Sequence, residues 1–123
     1  MPTDPTAVVR KSFQAYVDDD RPAIESVIAE DFHFTSPLDN RIDRKTYFER
    51  CWANHEWITG FAFVSVIAAG ERVVATYIGQ SKRGKPFRNT EIFTVHDGLI
   101  TEVEVYFGWS IPHEAAEGGF VNR

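Results

Sequence analysis

PFRNTEIFTVHDGLITEVEVYFGW, residues 86–109, reads as two strands joined by a tight turn. On the first strand Asn89, Glu91, Phe93 and Val95 alternate onto one face, and the two apolar members turn that face toward the interior. Asp97-Gly98 supplies the positive backbone angles that a two-residue hairpin requires, and Leu99 to Phe107 runs back as the partner. The strand therefore delivers a carboxyl, Glu91, to the inward-looking face of whatever sheet it joins. Arg88, Thr90, Glu104 and Tyr106 fall on the other face, a polar and aromatic mixture that suits either solvent or a wet contact with a second copy.

Upstream of this hairpin the same period of two continues. Phe61 to Ala68 and Arg72 to Gln80 are long β stretches, separated by Ala69-Gly70, and Lys82-Arg83-Gly84-Lys85 turns the chain into Pro86. Before Trp57 the pattern is helical. Asp4-Pro5 starts a first helix with Val9, Phe13, Tyr16 and Val17 on its apolar side, and Asp20 caps a second with Ile24, Val27 and Ile28 buried. Phe32-His33-Phe34-Thr35-Ser36 alternates as a short strand that Pro37 ends, followed by a turn over Leu38 to Arg41. Asp43 then caps a third helix whose Phe48, Cys51, Trp52 and His55 follow helical spacing.

The totals restrict the class. With 123 residues, 43% hydrophobic and 14% aromatic, the chain suits one domain, residues 1–123, with a real core. Eighteen acidic against thirteen basic side chains give a net charge of −5, and no basic patch forms, so nucleic acid is not an expected partner. No segment approaches the roughly 20 apolar residues that cross a bilayer, and no leader pattern opens the sequence, so a soluble cytoplasmic protein is expected. The single Cys51 fits a reducing compartment and reads as a core thiol on its helical stripe, the alternative being a nucleophile.

The order helix, short helix, EDFHFTSP (residues 30–37), third helix and four strands ending in EVEVYFGW (residues 102–109) resembles the SnoaL-like and ketosteroid-isomerase-like branch of the nuclear transport factor 2-like superfamily. The resemblance spans nearly the whole chain. It implies an α+β fold in which a strongly curved, mostly antiparallel, cone-shaped sheet packs on three N-terminal helices, leaves a deep pocket and forms a homodimer through its outer face. In ketosteroid isomerases a carboxylate stands before the first-strand proline; here that position is Ser36, whose hydroxyl is no general base without an activator of its own. The same relatives keep a protonated acid on the strand that matches Asn89 to Val95, and the matching residue is Glu91. Their first-helix phenol aligns near Ser12, one turn before Tyr16, which can supply the hydroxyl.

Chemistry and packing compete for each of these residues. Glu91 reads either as a carboxyl with weakened acidity at the pocket or as the partner of an arginine at a sheet edge. His55 reads as a proton shuttle over the pocket mouth or as a helix-end histidine bonded to a carbonyl. Trp52, Trp57, Phe107 and Trp109 form an aromatic ligand wall or ordinary core. The expected catalytic set is Glu91, Tyr16 and His55, and the expected ligand wall is Phe13, Phe34, Ser36, Phe48, Trp52, Asn89, Phe93, Phe107 and Trp109. No two histidines stand at metal-ligand spacing, and no phosphate loop, dinucleotide fingerprint or serine elbow occurs, so no metal and no cofactor are expected. Three functions follow: an isomerase or lyase acting on a small hydrophobic carbonyl compound, a non-catalytic carrier of an apolar metabolite, or a dimerisation module with a vestigial pocket.

Overall fold

The computed structural model describes residues 4–122. Helix α1 (Pro5–Asp18) and helix α2 (Arg21–Val27) precede strand β1 (Ile28–Ser36), strand β2 (Asp39–Asp43) and helix α3 (Arg44–Arg50). A 3-10 turn (Trp52–Glu56) leads into β3 (Ile58–Ala69), β4 (Arg72–Ser81), β5 (Phe87–His96) and β6 (Leu99–Ser110). The three aspartates do cap the helices: Asp4, Asp20 and Asp43 accept from the amides of Thr6, Ala23 and Thr46 at 3.0, 3.1 and 2.9 Å.

All six strands form one curved sheet in the order β2-β1-β6-β5-β4-β3. Every pairing is antiparallel except β1 with β6, which is parallel. Register shifts interrupt β3 between Phe63 and Ser65 and the β5–β6 ladder between Phe87 and Asn89. Such bulges bend the bulged strand and raise its twist, which lets the sheet wrap the helices. Asp97 and Gly98 both adopt positive φ, as the hairpin reading requires.

The core lies between α1, α2 and the concave face. Val9, Ile24, Phe32, Val73 and Ile100 are fully enclosed, each stabilising the fold by roughly 1.5–3 kcal/mol through removal from water. Phe13 is the hub of this layer, meeting Phe61, Phe63, Tyr77 and Phe93 edge-on.

Three local expectations need correction. Residues 39–43 are a strand, not part of a turn; this edge strand is mostly polar and exposed, with Arg41 at φ 47°, so it carries no alternating signal. Ile28 opens β1 instead of closing α2, because its extended backbone pairs in parallel with Ile100. The third helix ends at Arg50, where the Cys51 amide donates to the Tyr47 carbonyl, and the following turn is 3-10.

Two glycines are dictated by close approach. A Cβ on Gly108 would stand 2.2 Å from the Arg88 carbonyl oxygen, and one on Gly79 would stand 2.4 Å from the Phe87 ring. The obstacle at Gly108 is backbone in a paired ladder and cannot rotate away. Gly108→Ala is therefore expected to destabilise the fold by roughly 1–3 kcal/mol, read from urea unfolding. Wild-type stability in that variant would show that the β5–β6 ladder is looser than described.

Candidate functional site

Strand alternation and the helical lid leave a hollow of about 770 Å³ on the concave side of the sheet. Helix α1 contributes Phe13 and Tyr16, α3 contributes Tyr47, and the strands bring Phe34, Phe61, Tyr77, Phe87, Glu91, Phe93 and Phe107. Aromatic rings, together with aliphatic side chains such as Ile28, Val103 and Val105, make up most of the wall. At the mouth stand Leu38, Phe107 and Trp109, all largely exposed.

Glu91 lies within this wall, enclosed by protein except where it opens to the cavity. Its Oε2 accepts from the Tyr77 hydroxyl at 2.5 Å, and Asn89 Nδ2 in turn reaches the Tyr77 oxygen at 3.5 Å. Burial pushes the Glu91 carboxyl up from 4.5 to about 7, against the opposing pull of the Tyr77 hydrogen bond. The partner is a phenol and not the arginine that the alternative reading required. Near neutral pH the group is thus divided between acid and carboxylate, the state that proton transfer uses.

A pair of phenols faces the same space. Tyr16 and Tyr47 share a hydrogen bond of 2.5 Å between hydroxyls, and burial, the leading cause for both, drives each above the ordinary tyrosine range. Both therefore keep their protons. Two hydroxyl protons serve one mutual bond, so one proton remains to donate to a cavity occupant.

At the mouth a polar chain closes on itself. The Ser36 hydroxyl donates to Asp39 Oδ2 at 2.8 Å and accepts from the Leu38 amide at 3.0 Å, while Arg50 Nε donates to Asp39 Oδ1. Ser36 lines the cavity but is committed to this turn. Nearby Cys51 also lines the wall, and its thiol is pushed up to about 12, first by burial and then by Asp39. It is not a nucleophile at neutral pH.

Of the expected ligand wall, Phe13, Phe34, Ser36, Asn89, Phe93, Phe107 and Trp109 line the hollow. Phe48, Trp52 and His55 do not. The helix that would have carried Trp52 and His55 inward tightens to three residues per turn after Cys51, which sets residues three apart above one another. His55 consequently stacks on Trp52 at 4.6 Å, donates from Nδ1 to the Trp52 carbonyl at 2.6 Å and faces Asp19 through Nε2 at 2.8 Å. It is the helix-end histidine of the alternative reading. Phe48 packs under Arg21 and Arg44 instead.

Tyr47, Tyr77, Asp39 and Arg50 were missed from the sequence. Tyr77 carried a signal, since Val73, Ala75, Tyr77 and Gly79 alternate to the buried face of β4. Tyr47 sits one turn before Cys51 on the same helical side. Asp39 and Arg50 had none, because they meet only through folding. Among the described residues no group of three or more His, Cys, Asp or Glu side chains could hold a metal, and no helix is long and apolar enough to cross a membrane.

Comparison with known proteins gives a family match and a set of shared folds. The SnoaL-like domain model matches residues 9–103. An LEH-like epoxide hydrolase of M. tuberculosis superposes with a TM-score of 0.74 at 19% identity, covering 87% of this chain and 84% of its own. A candidate ketosteroid isomerase from Kribbella flavida gives 0.73 at 17%, covering 97% and 88%. IdmH of Streptomyces antibioticus, a candidate polyketide cyclase, gives 0.69 at 16%, covering 84% and 91%. At such identities the likeness is one of fold alone. No curated protein sequence matches significantly.

Two outcomes follow from the Glu91 environment. The folded chain holds its Glu91 proton up to about pH 7, whereas the unfolded chain releases it near 4.5. Native stability therefore falls as pH rises through that window and levels above it. Relative to Glu91→Gln, the wild type is expected to lose up to roughly 3 kcal/mol between those limits in pH-resolved unfolding, and a constant difference would contradict the buried-acid account. Tyr77→Phe removes a bond that favours the carboxylate, so the Glu91 midpoint should move higher in carboxyl carbon NMR; an unchanged or lower midpoint would refute the role given to that phenol.

Proposed function

This chain belongs to the SnoaL-like domain family, and on that footing we propose that it is a cofactor-independent isomerase or lyase that moves a proton on a small hydrophobic carbonyl compound. The observation that carries the reading is Glu91: a carboxyl pushed to about 7, facing an aromatic hollow, with its second oxygen free of the Tyr77 bond. In its carboxylate form it removes a proton from the carbon beside the carbonyl. Negative charge then moves to the carbonyl oxygen, where the spare hydroxyl proton of the Tyr16–Tyr47 pair stabilises it. Return of the proton from Glu91 to another carbon completes an isomerisation; expulsion of a leaving group from the next carbon completes an elimination. His55 has no part in these steps.

Aromatic walls favour a flat apolar substrate, and the folds shared with a candidate isomerase and a candidate cyclase agree with this chemistry. The free Cys51 agrees with a cytoplasmic location. The outer sheet face supports a homodimer: Tyr106 is half exposed there beside Glu104, and Arg72 pairs with Glu104 at 3.6 Å, leaving a polar surface with an aromatic anchor.

One observation favours the carrier reading. Ser36 stands where related isomerases place a base, and its hydroxyl is already spent on Asp39. Deuterium exchange at carbons beside the carbonyl, followed by NMR over a panel of cyclic and fused-ring ketones, separates the two. The expectation is exchange that rises with pH through about 7 and falls by roughly 10²- to 10⁴-fold in Glu91→Gln. Ketones that bind without exchanging, or exchange that survives Glu91→Gln, would leave the carrier reading in possession.

A further inference from the structure

On the far side of the Phe13 and Phe61 rings lies a second space, about 470 Å³, a surface groove between α1 and β3 lined by Phe61, Phe63, Val17 and the exposed Arg10 and Lys11. Phe13 and Phe61 line both this space and the main hollow. Their rings meet edge-on at 4.8 Å, and Phe61 meets Tyr77 at 5.3 Å, so the partition ends beside the phenol that holds Glu91. Phe13 is almost completely enclosed in its four-ring cluster, whereas Phe61 is only partly buried. Two side chains thus divide the spaces, Phe13 held in its cluster and Phe61 resting on it.

We propose that Phe61 is the specificity-determining partition of the ligand site: it closes the hollow at the Tyr77 end and restricts occupants to compact molecules, excluding those with an extended chain. The inference rests on the main hollow being the ligand site, not on any catalytic step. Remove the ring and the hollow continues past Tyr77 into the α1–β3 groove, whose inner lining is apolar and whose rim carries Arg10 and Lys11. An elongated apolar chain could then lie across both spaces. Gly60, with nothing near its Cβ position, leaves the backbone beside Phe61 uncrowded.

Calorimetric titration with a homologous series of straight-chain methyl ketones tests this directly. Each methylene that leaves water should tighten binding by about fourfold, and the gain should stop once the chain fills the hollow. In Phe61→Ala the break should move to distinctly longer chains than in wild type, and in Phe61→Val by a smaller step. Val17→Ala, which trims the lining of the second space alone, should leave the break where it is in wild type. The same break in wild type and both Phe61 variants would overturn the proposal, as would a wild-type series that never breaks or never binds. Cooperative unfolding of Phe61→Val guards against reading a collapsed Phe61→Ala as a result. Because only binding is read, absence of deuterium exchange in the wild type would refute the catalytic reading and leave this one standing.

Discussion

Phe13 meets Phe61, Phe63, Tyr77 and Phe93 with ring centroids 4.8, 5.0, 4.9 and 5.8 Å apart, and these four rings come from three different strands. Edge-on contacts of this kind add to the area they bury, because the positive rim of one ring meets the negative face of another. The contact fixes α1 over β3, β4 and β5 at one height. Tyr77 cannot shift without disturbing it, and Tyr77 is what positions the Glu91 carboxyl. The helical layer and the site are therefore held by the same cluster, so the geometry of the acid is inherited from the packing of the core.

That inheritance explains the electrostatic character of the hollow. Rings exclude water and offer few hydrogen bonds, so a carboxyl among them is costly to ionise and its acidity weakens. Phenols solve part of the problem. They pack as rings and still present a hydroxyl, so Tyr16, Tyr47 and Tyr77 place donors among the phenylalanine and aliphatic side chains of the wall. At the mouth the balance reverses: Asp39 and Arg50 neutralise one another where solvent is close, and Ser36 is drawn into that pair.

Much of this could be read in the residues. The capping aspartates at 4, 20 and 43, the Asp97-Gly98 turn and the alternation around Glu91 are local signals, and each is expressed locally in the fold. What escaped reading depended on distance or on a change of period. The polar run 39–43 becomes a strand only because β1 is there to pair with it, and the meeting of Asp39 with Arg50 exists only once α3 has turned back. His55 was misplaced because a 3.6-residue stripe was extended through a segment wound at three residues per turn. The Tyr16–Tyr47 pair joins residues 31 positions apart, a separation over which no spacing rule operates.

The fit of Phe87 over Gly79 ties the history of two positions together. The ring occupies the space where a Cβ at residue 79 would stand, and it lines the hollow from that place. Any side chain arriving at 79 first must displace the ring, whereas a smaller residue arriving at 87 first vacates the space and makes the second change harmless. Of the two mutational orders only one stays on passable ground, so a lineage could exchange this pair by one route and not by its reverse.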